Sequence, residues 1–97
     1  MQNVISLDAL RALDAIDRKG SFAAAADALY KVPSALSYTI AKLESELGVS
    51  VFDRTKQKAQ LTPAGQMLLQ QGRQILLASR QLEDAVRQLE TGSETKL

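Results

Sequence analysis

The chain has 97 residues, about one domain, and 12 Lys/Arg against 11 Asp/Glu leave a formal charge of +1, which excludes a polycationic arm. With 45% apolar and 24% charged residues, the composition is that of a folding chain and not of a disordered one. The absence of Cys and His removes disulfides, thiolate and imidazole chemistry and the ordinary zinc and haem ligands. No spacing points to a Ser–Lys or carboxylate-pair site either, so neither an enzyme nor a cofactor is expected.

The first 17 residues carry Asp8, Asp14 and Asp17 and no basic leader, and no apolar run reaches the length of a membrane span, so a cytoplasmic protein without membrane contact is expected. Ser6 is placed to cap a first helix whose Leu10, Leu13 and Ile16 share one side, with Arg18 and Lys19 in the last turn and Gly20 as the stop. Ser21 is a second cap. The Ala-rich run Phe22 to Leu29 then forms a thin helix that permits close approach of neighbours.

Pro33 suits the first turn of a third helix, because the N–H it lacks would have no intrahelical partner there. Leu36, Ile40, Leu43 and Leu47 define its buried stripe, and Gly48 ends it. The opposite face holds Ser34, Tyr38, Ala41 and Ser45, flanked by Ser37 and Lys42, while Glu44 and Glu46 fall late on the flanks of the stripe. Val51-Phe52 and Ala59-Gln60-Leu61 are two short strand-like segments around a charged loop, a β-hairpin wing over about 51–61. Thr62-Pro63 opens a last helix expected over 63–90, about 42 Å long. Leu68, Ile75, Leu82 and Leu89 recur at intervals of seven, the arithmetic of a coiled coil, with Val86 beside them. A dimer interface through these residues is expected, and self-association also suits so small a core. Residues 91–97 are polar and predicted to be a flexible tail.

The fold class is therefore mainly α: a winged helix-turn-helix over about 5–62, with its helix-turn-helix near 22–41, followed by a long linker helix. In that plan the second helix enters the major groove of DNA by its N-terminal end. Pro33, Ser34, Ser37 and Tyr38 are the expected base-reading residues. The serine hydroxyls discriminate weakly, Tyr38 offers a ring to a thymine methyl and a hydroxyl to a base or phosphate, and none of them is a bidentate guanine reader. The charge distribution agrees, since residues 1–17 sum to −2, residues 18–58 to +3 and residues 59–97 to zero. Lys31, Lys42, Arg54, Lys56 and Lys58 are expected on phosphates, with Ser21 first a helix cap and secondarily a phosphate donor. Phe22 and Phe52 are expected to pack, not to stack on bases. The competing expectation is a protein-binding winged-helix adaptor that never touches DNA, which requires a large apolar patch on the open face of the third helix.

The runs Gly20–Leu29, Pro33–Glu44, Glu46–Val49, Phe52-Asp53-Arg54 and Leu61–Gly65 together resemble, in sequence and order, the N-terminal region of LysR-type transcriptional regulators over about residues 5–90. The resemblance implies a winged helix-turn-helix whose linker helix pairs with that of a second copy in an antiparallel coiled coil. It also implies a homodimer that binds double-stranded DNA at an interrupted inverted repeat and controls transcription. The family continues into a larger effector-binding domain, so no small-molecule effector site is expected in this chain. Two positions depart from the family pattern, Pro33 where a polar residue, often Gln, is common, and Tyr38 where a basic residue, often Arg, is common. The second departure predicts a shallower salt dependence of binding than that of a more basic relative.

Overall fold

A computed structural model of the chain describes residues 4–53, 55 and 58–92. It has four helices, α1 (Leu7–Lys19), α2 (Phe22–Ala28), α3 (Pro33–Leu47) and α4 (Pro63–Gly92). Side chains and backbone punctuate them as the sequence predicts. Ser6 Oγ accepts from Ala9 N at 3.1 Å, Ser21 Oγ accepts from Ala24 N at 3.0 Å, and Pro33 takes the first turn of α3. Gly48 closes α3 at φ 73°, a left-handed conformation that a residue with a Cβ adopts only with strain, and its N–H returns to Glu44 O.

One core joins the first three helices to the start of α4. Leu13 and Ile16 of α1, Ala25 and Ala26 of α2, and Leu36, Ile40 and Leu43 of α3 are all buried, with Val51, Phe52 and Leu69 closing it. The alanines let α2 lie close to both neighbours, as a thin helix should. Leu47, the last member of the expected stripe, is only half-buried, because α3 is already leaving the core. Phe22 and Phe52 meet edge to face, ring centroids 5.3 Å apart, a pairing worth about 1 kcal/mol beyond area burial. Both are packing anchors.

The wing is short. Phe52 and Leu61 form a single antiparallel bridge, supported by Asp53 N to Gln60 O at 2.7 Å and Thr62 N to Val51 O at 2.9 Å. Asp53 then turns the chain by accepting from Thr55 N and Thr55 Oγ1. Thr62 welds this bridge to α4: its hydroxyl donates to Ser50 O and accepts from Gly65 N. Gly65 lies so close that a Cβ there would collide with the Val51 carbonyl oxygen, which explains a glycine in the first turn of a long helix.

Among the helices, α4 packs only on α1. It runs to Gly92, past the expected end at Glu90. The radius of gyration is 16.1 Å and the longest extent 58 Å, against about 13 Å for a compact chain of this length. The excess is the far half of α4, where every residue from Arg80 to Glu90 is exposed.

Candidate nucleic-acid interface

The connection from α2 to α3 is tight. Leu29 ends α2, Tyr30 takes a left-handed φ of 59°, and Lys31 N returns to Ala26 O at 2.8 Å. A tyrosine in that conformation costs about 1 kcal/mol relative to glycine, and its side chain is 96% exposed. Val32 precedes α3 without a side-chain cap and is 62% exposed.

With Leu36, Ile40 and Leu43 held at 0 to 1% exposure, the opposite face of α3 is fixed outward. Pro33, Ser34, Ser37, Tyr38, Ala41, Lys42 and Ser45 are all exposed on α3, and Tyr38 stands 69% free. The structure thus brings all of the expected base-reading residues to one end and one open side of the helix. Thr39 is excluded from that set, because its hydroxyl donates back to Ala35 O at 3.0 Å.

The carboxylates of α1 are paired with arginines. Asp8 pairs with Arg11, and Asp14 accepts from both Arg18 at 2.9 Å and Arg73 at 2.6 Å. Arg73 also reaches Asp17 at 2.9 Å, so one guanidinium of α4 clamps two carboxylates of α1. Partial burial pushes the Asp14 carboxyl upward, but the hydrogen bonds from Arg73 and Arg18 outweigh it and hold the group below its ordinary value. The hydrogen bond to Asp14 correspondingly raises Arg73. Lys31, Lys42 and Lys58 are exposed, and no ion pair among the described residues engages them. The predicted phosphate contacts Arg54 and Lys56 lie outside the described residues. Ser21 uses its oxygen as the α2 cap, which leaves its hydroxyl proton to donate outward.

Several supporting residues escaped sequence reasoning. Glu44, assigned only a place on the flank of the stripe, accepts from Val51 N at 2.7 Å and Phe52 N at 3.4 Å, and so ties the wing to α3. A carboxylate followed by a helix stop and a strand three residues further is a usable signal for such a contact. The Arg73 clamp joins positions 56 and 59 apart, for which the sequence holds no local signal.

The proposed dimer residues divide along α4. Leu68 is half-buried against the chain's own core, whereas Ile75, Leu82, Val86 and Leu89 are exposed. A shallow apolar groove of about 170 Å³, lined by Ile5, Leu10, Met67, Leu68, Gly72 and Ile75, lies where the two stretches meet.

A three-helix core with an exposed second helix-turn-helix element, a bridged wing and a long trailing helix defines a winged helix-turn-helix domain. The family described as bacterial regulatory helix-turn-helix protein, lysR family, matches residues 7–66, and the chain belongs to that family. The chain is 58% identical over 71 residues to the probable HTH-type transcriptional regulator YhaJ of Escherichia coli (strain K12), covering 73% of this chain and 24% of that protein. It therefore spans about a quarter of the length of that relative. Its fold matches the BenM DBD in complex with catB site 1 DNA at a TM-score of 0.87 and 29% identity, over 92% of this chain and 96% of that one. The CbnR DBD in its DNA complex matches at 0.80 and 28%, over 89% and 99%.

Proposed function

We propose that this region binds double-stranded DNA sequence-specifically as a dimer and thereby regulates transcription. The observation that carries the reading is the open side of α3, where small hydroxylated residues accompany Tyr38, with the exposed cations Lys31 in the turn before the helix and Lys42 further along it, both without an ion pair among the described residues. Pro33, Ser34, Ser37 and Tyr38 are assigned to bases. Ser21, Lys31, Lys42 and Lys58 are assigned to phosphates, together with Arg54 and Lys56 on sequence grounds. The similarity to DNA-bound domains supports this over an adaptor role. On this reading the region would work on chromosomal DNA in the bacterial cytoplasm.

The dimer is supported by Ile75, Leu82, Val86 and Leu89, apolar residues at coiled-coil spacing that stay exposed among the described residues. Two copies related by a twofold axis would present two copies of α3, which calls for an inverted repeat separated by a spacer. Selection of duplexes from a random pool tests both halves of the reading, since it returns the half-site and the spacing. Replacing Tyr38 with Ala should lower discrimination between selected and scrambled duplexes about tenfold without changing the unfolding midpoint, because the side chain packs on little. Replacing Lys42 with Ala should lower affinity for all duplexes alike and reduce the slope of log affinity against log salt by about one. A Tyr38→Ala variant with unchanged sequence preference removes that residue from base reading.

A further inference from the structure

We infer that the half-site is read through the 5-methyl groups of thymine, packed against Tyr38 and Val32, and not through paired hydrogen bonds to guanine or adenine. The inference rests on the DNA-binding reading above and names what that surface selects. From Leu29 through Ala41, the turn and the first half of α3, the chain contains no Arg, Asn, Gln, Asp or Glu. Together with Lys, present there only as Lys31, those are the side chains that grip guanine, adenine or cytosine edges in the major groove. Lys42 is the first cation on α3, nine residues beyond Pro33 and so about 14 Å along the axis, past the two turns that meet base edges.

What remains at the reading end is hydroxyl and hydrocarbon. Ser34 and Ser37 can donate or accept and so separate the bases poorly. Val32 at the tip and Tyr38 on the open side are large, exposed and otherwise unpacked. Thymine alone presents a methyl group in the major groove, so an apolar reader distinguishes it from every other base. Burying one methyl changes affinity about fourfold. The surrounding charge suits a duplex and not an apolar protein partner, since Lys31, Lys42 and Lys58 are exposed and unpaired among the described residues. Lys31 stands in the turn before the helix and offers a single ammonium to the backbone or to one guanine.

The test begins with the duplexes that the chain selects from a random pool. Each thymine of the half-site is replaced in turn by deoxyuridine, which removes only the methyl group, and each guanine by 7-deazaguanine, which removes the N7 acceptor. The expected result is a three- to fivefold loss of affinity at one or more thymines of each half-site and little change at guanines. In the Tyr38→Ala variant the deoxyuridine penalty at one of those positions should vanish, whereas Tyr38→Phe should keep it, because the ring and not the hydroxyl makes the contact. Deoxyuridine tolerated at every position overturns the inference, as does a tenfold or larger loss at a single 7-deazaguanine. Both leave DNA binding standing. A folded chain that enriches no duplex at all overturns DNA binding, and the inference with it.

Discussion

Leu36, Ile40 and Leu43 in α3 and Leu82, Val86 and Leu89 in α4 share one spacing, i, i+4, i+7, and meet opposite fates. The first trio is at most 1% exposed, and the second is 54 to 75% exposed. Periodicity specifies a face to be covered; it does not say whether the cover comes from the same chain. Around α3 the cover is α1, α2 and the wing. Around the far half of α4 there is none among the described residues, and an isolated segment of that length is marginal as a helix in water. Covering each such side chain is worth about 2 kcal/mol, which a second copy would supply.

The largest effect should come from breaking the body where it joins α4. A methyl group added at Gly65 meets the Val51 carbonyl and the Leu61 side chain, and neither the backbone of the wing nor a buried first turn can yield cheaply. Gly65→Ala should destabilise by about 3 kcal/mol and lower the unfolding midpoint by about 15 °C. Calorimetry reads this directly, and an unchanged midpoint would mean that the wing and α4 are not held as tightly as the Thr62 hydrogen bonds indicate.

Leu82→Asp acts on the other trio and should leave the unfolding of the body unchanged while weakening self-association by about 2 kcal/mol, since a charge enters the seam twice. Sedimentation equilibrium separates the effects. A dimer of unchanged strength would place the interface elsewhere, and a lowered body stability would show that the far half of α4 is not independent of the core.

How much of this was legible follows from the range of each interaction. Ser6, Ser21, Pro33, Gly48 and Thr62-Pro63 act on their own helix ends within about three residues, so element order and boundaries could be read directly. The open side of α3 followed from the buried stripe, and with it the exposure of Ser34, Ser37 and Tyr38. The prominence of Tyr30 and Val32 did not, because an exposed apolar residue in a turn leaves no periodic trace. The Asp53 turn did not either, since strand-like composition does not show which side chain will bend the chain. The Arg73 clamp and the glycine at position 65 are answers to atoms in other elements, and only the assembled structure poses their questions.

That clamp links the two regions and gives a smaller, pH-dependent effect. Asp14 is held below its unfolded value, so the unfolded chain binds the proton more readily, and the associated stability is present above pH about 4 and fades as the pH falls through the folded value. Because Arg73 and Arg18 are substantially exposed, the contribution should stay below about 1 kcal/mol. Asp14→Asn should lower stability by that amount at pH 7 and flatten the acid limb of the stability profile between about pH 5 and 2. An acid limb identical to that of the parent would show that Arg73 holds α4 through Asp17 or through packing alone.

The smallest effect is expected at Gly72, midway between the covered and uncovered parts of α4. A Cβ there would come within 2.7 Å of Leu10 Cδ2, a close approach like that at Gly65 but to the end of a side chain that can rotate aside. Leu10 lines the apolar groove with Met67 and Ile75, so it has open space to move into. Replacing glycine by alanine in a helix interior gains about 1 kcal/mol, and displacing Leu10 should cost a similar amount. Gly72→Ala should therefore leave the unfolding midpoint of the monomeric body within about 3 °C of the parent. Its effect on self-association should be larger, because the displaced Leu10 fills the groove that adjoins the exposed seam. An unchanged body with a weakened dimer is the outcome that sharpens the contrast between the two trios. A body destabilised as severely as by Gly65→Ala would show that Leu10 has no room, and that the covered region extends further along α4 than its exposed side chains suggest.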